Sequence, residues 1–95
     1  MNFSVKDSDG NHLLLFRHLG YHPSRHSDSF IRRLGAGLYP RFHAYVRSEG
    51  DNLFIDLHLD QKKVSYAGQK AHSGEYGGEL LAQEKIRIQQ YIENK

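Results

Sequence analysis

The sequence predicts an α+β domain: an antiparallel sheet of about four strands with a C-terminal helix packed on one face. Three observations lead there. Arg41 to Arg47 and Leu53 to Asp60 both alternate with period two, the pattern of half-buried strands. The turn-forming stretch Glu49-Gly50-Asp51-Asn52 joins them. Glu79 to Glu93 repeats its apolar residues at the helical period instead, with Leu80, Tyr91, Ile88, Leu81 and Ile92 on an arc of roughly 120°.

Taken in order, Asn2 to Lys6 reads as a strand with Phe3 and Val5 inward, and Asp7 to Asn11 reads as a turn. His12 to His18, with Leu13, Leu14, Leu15 and Phe16, is expected to return as a second strand and close a first hairpin. Gly20 to Ser29 is polar and irregular around Pro23. Ser27, Asp28 and Ser29 can cap a short helix over residues 30–34, stopped by Gly35; a strand over 29–34 fits the same six residues. Residues 61–78 are polar and glycine-rich, long for a structureless connection, so they read as a functional loop or as part of another element. Ile86 is the one apolar residue on the polar side of the final helix.

Ninety-five residues fit a single domain over 1–95, since a chain this short buries only about 60–65% of its unfolded surface. With no cysteine, disulfides, thiolate metal sites and thiol catalysis are excluded. No run of about 18 apolar residues is present, and the polar opening does not read as a signal peptide, so a cytoplasmic protein is expected. The net charge is +2 with histidines neutral, and seven histidines make it sensitive to mild acid. Six of seven arginines lie in residues 1–50, an asymmetry that suits an anionic partner.

The chemistry concentrates on the polar face of the second hairpin. Pairing residues whose numbers sum to about 101 sets His43 opposite His58, Tyr45 opposite Asp56 and Arg41 opposite Asp60. Opposed side chains on one face have Cβ atoms about 4.5–5.5 Å apart. His43, His58 and Asp60 can then hold a divalent metal, or the two imidazoles can work as an acid–base pair; a plain solvated face with Arg–Asp pairs fits as well. His72 and Glu75, flanked by glycines, suit a loop that brings a general acid or base to His58. Gly77-Gly78, if they open the helix, offer free amides to an anion. His18, His22 and His26 are spaced by four, but Gly20 and Pro23 interrupt any shared helix, so loop histidines are expected there. Finally, Arg32, Arg33, Arg41, Arg47, Lys62, Lys63 and Lys70 interleave with Tyr39, Tyr45 and Tyr66, a composition for phosphate pairing and base stacking.

The segments Tyr39-Pro-Arg-Phe-His43, Leu57-His-Leu-Asp-Gln-Lys62 and Ala71-His-Ser-Gly-Glu-Tyr76 resemble those of a family of short uncharacterised bacterial proteins. The resemblance covers roughly residues 30–92 and implies no activity or cofactor. The leading expectation is a small basic module for a phosphate-bearing partner, most plausibly RNA, using Arg32, Arg33, Arg41, Tyr45, Arg47, Lys62, Lys63 and Tyr66. One alternative is a metal- or His-dependent phosphodiesterase-like hydrolase built on His43, His58, Asp60, His72 and Glu75. The other is a protein-interaction scaffold without ligand chemistry.

Overall fold

A computed structural model of the chain describes residues 1–7, 10–25, 28–61 and 73–94, with the backbone alone for 73–77. The elements are β1 (Asn2–Lys6), α1 (His12–His18), β2 (His22–Pro23), β3 (Ser29–Arg33), β4 (Arg41–Glu49), β5 (Asn52–Asp60) and α2 (Ser73–Glu93). The fold is α+β as expected, but the antiparallel sheet has five strands, in the order β1-β5-β4-β3-β2.

The β4–β5 hairpin forms in the register anticipated, with Arg41 opposite Asp60, His43 opposite His58 and Tyr45 opposite Asp56. Period-two burial places Phe42, Ala44, Val46, Leu53, Ile55 and Leu57 in the core. Glu49 faces Asn52, leaving a two-residue loop in which Gly50 takes φ 60°, a conformation costly for a residue with a Cβ.

Three expectations are corrected. His12–His18 is a helix, not a strand, so β1 has no hairpin partner in it and pairs with β5, Phe3 facing Ile55 and Val5 facing Leu53. The helix wins because Leu15, Phe16 and Leu19 lie at helical spacing and are all buried, whereas Leu13 and Leu14 stay about half exposed. Its ends agree: the Asn11 side chain accepts a bond from the Leu14 N–H at 3.1 Å. At the other end Gly20, at φ 97°, sends its N–H to Arg17 O while Tyr21 N–H reaches Phe16 O, the two bonds of a Schellman stop.

The second correction concerns the stretch read as either a short helix over 30–34 or a strand over 29–34: residues 29–33 form strand β3. Five residues paired to β4, two of them (Phe30 and Ile31) also to β2, satisfy more backbone groups than one isolated helical turn would. Third, α2 starts at Ser73, within the stretch read as a loop, so Gly77 and Gly78 sit inside the helix. They do not form the N-terminal anion site they suggested.

Both helices lie against the apolar side of the sheet. Phe16 of α1 stacks on Phe30 of β3 at 5.0 Å and meets Tyr21 edge-on at 5.2 Å. Ile88 of α2 is fully buried, with Leu80, Leu81, Tyr91 and Ile92 packed around it, and Ile86 is exposed as its spacing implies. The other side of the sheet carries mostly polar and aromatic side chains, with Ile31 among them.

Candidate functional site

Strand alternation and register determine what shares the polar face. One cross-strand row runs Asn2, Asp56, Tyr45, Ser29, the next His58, His43, Ile31, His22, and the last Asp60, Arg41, Arg33. Tyr45, Arg47 and His58 are exposed there, while His43 is 9% accessible.

The histidines are each held by a carboxylate. His43 Nδ1 lies 3.1 Å from Asp60 Oδ2, and the same oxygen accepts from Arg41 Nε at 3.1 Å. A carboxylate already paired with arginine can only accept, so Nδ1 carries the proton and His43 Nε2 holds a lone pair. That Nε2 is buried without a hydrogen-bond partner among the described residues. His58 Nε2 lies 3.0 Å from Asp56 Oδ2, and its Nδ1 makes no ion pair among the described residues. The Tyr45 ring stacks on His43 at 4.6 Å between centroids and meets His58 edge-on at 5.7 Å. A cavity of about 660 Å³ borders His43, Tyr45, His58, Asp60, Met1 and Leu81.

Among the described residues no set of three or more His, Asp or Glu side chains is arranged to hold a metal ion. The metal trio of His43, His58 and Asp60 is divided: Asp60 serves His43 and Arg41, while His58 turns to Asp56. His72 and the Glu75 side chain, assigned to catalysis with His58, lie outside the described residues. His18 ends α1 and bonds Tyr91 at 3.0 Å, and His22 belongs to β2, so these two share no helix face; His26 lies outside the described residues.

The cationic set is divided as well. Arg33, Arg41 and Arg47 are on the polar face with Tyr45; Arg32 is on the core side, 3.4 Å from Glu84, over the Phe42 ring. Lys62, Lys63 and Tyr66 lie outside the described residues. Arg41 stacks on Tyr39 at 4.7 Å, and Arg47 on Phe54 at 4.9 Å while paired with Glu49 at 2.8 Å. Arg33 directly faces Arg41, a like-charge placement that is unfavourable by itself, and Arg33 makes no ion pair among the described residues. A groove of about 730 Å³ runs past Asn2, Ser4, Tyr45, Arg47, Phe54 and Asp56.

A second polar cluster escaped the sequence reading. Glu84, 4% accessible, accepts from Tyr21 Oη at 2.6 Å, from Arg87 Nε and Nη2 at 2.8 Å each, and from Arg32 Nη1 at 3.4 Å. Arg87 Nη2 also caps the Leu19 carbonyl at 2.7 Å. The cluster ties α2 to the end of α1 and to β3. Its signal was present: Glu84 stands four residues before Ile88 and seven before Tyr91, in the middle of the apolar stripe.

Burial, followed by the charge and hydrogen bond of Glu84, pushes the Tyr21 hydroxyl well above the ordinary phenol value. The hydrogen bond to Glu84 likewise raises the Arg87 guanidinium. Because the folded state keeps the Tyr21 proton, its contribution is fully present below about pH 10 and is lost as pH rises beyond that. Urea midpoints should therefore fall from pH 10 upward, at up to about 1.4 kcal/mol per pH unit from this group. Tyr21→Phe should flatten that slope, while lowering stability at neutral pH. An unchanged slope in the variant would assign the alkaline loss to other groups.

No family model, curated protein or solved structure matches the chain, so the fold and these sites stand on their own geometry.

Proposed function

We propose that the chain is a cytoplasmic binding module for single-stranded RNA, which lies across the polar face of the sheet. The observation that carries this reading is Tyr45: an aromatic ring, 44% exposed, at the centre of a strand-paired face with Phe54 and arginines around it. Flat rings on a rigid sheet offer stacking surfaces to unpaired bases, which is sequence-tolerant because every base has a π-face. Arg33, Arg41 and Arg47 supply guanidinium groups for phosphates. The pair Arg47–Glu49 is exposed on both sides and worth under about 1 kcal/mol, so Arg47 is readily redirected to a ligand. No helix among the described residues is long and apolar enough to cross a membrane.

Fluorescence anisotropy with a labelled 12-nucleotide RNA tests this. Three phosphate contacts predict a log–log salt slope of about −2. Tyr45→Ala should weaken binding about 5- to 150-fold, the loss of one stacked base. Arg33→Ala should weaken it and reduce the salt slope. Arg32→Ala, on the other side of the sheet, should leave the slope as it was. Absence of binding at low salt, or equal effects of Arg32 and Arg33 substitutions, would overturn the reading.

A further inference from the structure

We infer that the His43–His58 pair cleaves the RNA bound on this face, by metal-independent transfer of the phosphate to the adjacent ribose 2′-hydroxyl. The inference rests on the binding reading above and adds a reaction to it. Two imidazoles lie directly opposite one another on neighbouring strands, and each is oriented through one nitrogen by its own carboxylate, Asp60 and Asp56. One nitrogen on each ring therefore remains for a substrate: Nε2 of His43 and Nδ1 of His58.

Burial separates their roles. His43 donates Nδ1–H to Asp60 and keeps a lone pair on Nε2, a buried acceptor with no partner among the described residues. Such a nitrogen costs stability for nothing in the folded chain, and it is the form a general base requires. His58 is 47% exposed and beside Asp56, a setting in which the doubly protonated ring can act as general acid. Asp56 and Asp60 are positioning residues. The Tyr45 ring packs on His43, so its rotation is the step that admits the ribose; exposed side chains turn on the ps–ns scale.

The phosphate has a place in the adjoining row. Arg33 faces Arg41, whose own charge is paired with Asp60, so Arg33 is the guanidinium left to take an anion beside that pair. The step balances without a co-reactant. Nε2 of His43 takes the 2′-OH proton as the 2′-oxygen bonds to phosphorus. The bond from phosphorus to the 5′-oxygen breaks, and Nδ1 of His58 gives its proton to that oxygen. The products are a 2′,3′-cyclic phosphate and a free 5′-hydroxyl, with the two imidazoles left in exchanged protonation states. RNA is the required substrate class, since DNA has no 2′-hydroxyl.

The test incubates the full chain, in EDTA, with a labelled DNA 12-mer containing one ribonucleotide and with its all-DNA counterpart. Cleavage is expected only after the ribonucleotide, leaving a cyclic phosphate, with a bell-shaped pH–rate profile. His58→Gln, at an exposed position, should slow cleavage at least about 100-fold and remove one limb of the bell; His43→Gln should slow it similarly. Circular dichroism shows whether each variant is folded, and the His58 variant keeps the test decisive if His43→Gln is not. Binding without cleavage, or cleavage that survives His58→Gln, overturns this inference and leaves the binding reading intact. Failure of the wild-type chain to bind RNA at all removes both.

Discussion

Replacing Glu84 by alanine is expected to destabilise the fold by about 3 kcal/mol, seen as a lower urea midpoint at unchanged m. The carboxylate is almost fully buried, yet it receives four donor contacts from three side chains. Removing it strands the Tyr21 hydroxyl and leaves two guanidinium groups without their shared counter-charge. The magnitude stays at the lower end of the range for broken buried pairs because Arg87 is 38% exposed and Arg32 is 31% exposed, so water can replace part of what they lose. Tyr21→Phe should cost less, about 1–2 kcal/mol, since one hydrogen bond goes and the ring's packing stays. If Glu84→Ala and Tyr21→Phe cost the same, the arginines contribute nothing, and the cluster is one hydrogen bond rather than a clasp.

Phe16→Ala is expected to cost about 3–5 kcal/mol, which in a domain of this size can exhaust most of the net stability. Phe16 is fully buried between Phe30 and Tyr21, so its removal opens a cavity where α1, β2 and β3 meet. Leu13→Ala and Leu14→Ala provide the contrast: both side chains are about half exposed, and each change should stay within about 0.5 kcal/mol. The contrast also discriminates helix from strand. On a strand, Leu14 and Phe16 would share one face and Leu13 and Leu15 the other, so two of the four would respond alike. On the helix, Leu15 and Phe16 respond and their neighbours do not. A large loss at Leu14 would place α1 differently.

These two sites show where local patterning stops being informative. His12 to His18 contains four consecutive apolar residues, and such a run is compatible with either period. The discriminating signs were the Asn11 cap, the Gly20 stop and the i, i+3, i+4, i+7 spacing of His12, Leu15, Phe16 and Leu19. Glu84 was not singled out because its partners are not local: Tyr21 and Arg32 arrive from 63 and 52 residues away. The candidate site was more legible: His43, His58, Asp60, Arg41 and Tyr45 do share the face that alternation assigned them. Their pairing was not, since it takes coordinates to show that Asp60 goes to His43 and Asp56 to His58.

Sequence alone indicated the β4–β5 hairpin, the polar face it displays and the apolar stripe of α2, and the pairing it offered for that hairpin is the one the structure adopts. All of these depend on contacts between residues close in the chain, where period and turn chemistry act directly. Tertiary structure decided that α1 is a helix, that β1 joins β5, that residues 29–33 are a strand and that Arg32 turns away from Arg33 to meet Glu84. Each of those outcomes is set by a partner distant in sequence, and the free energy of burying that partner outweighs the weak local preference of a short segment.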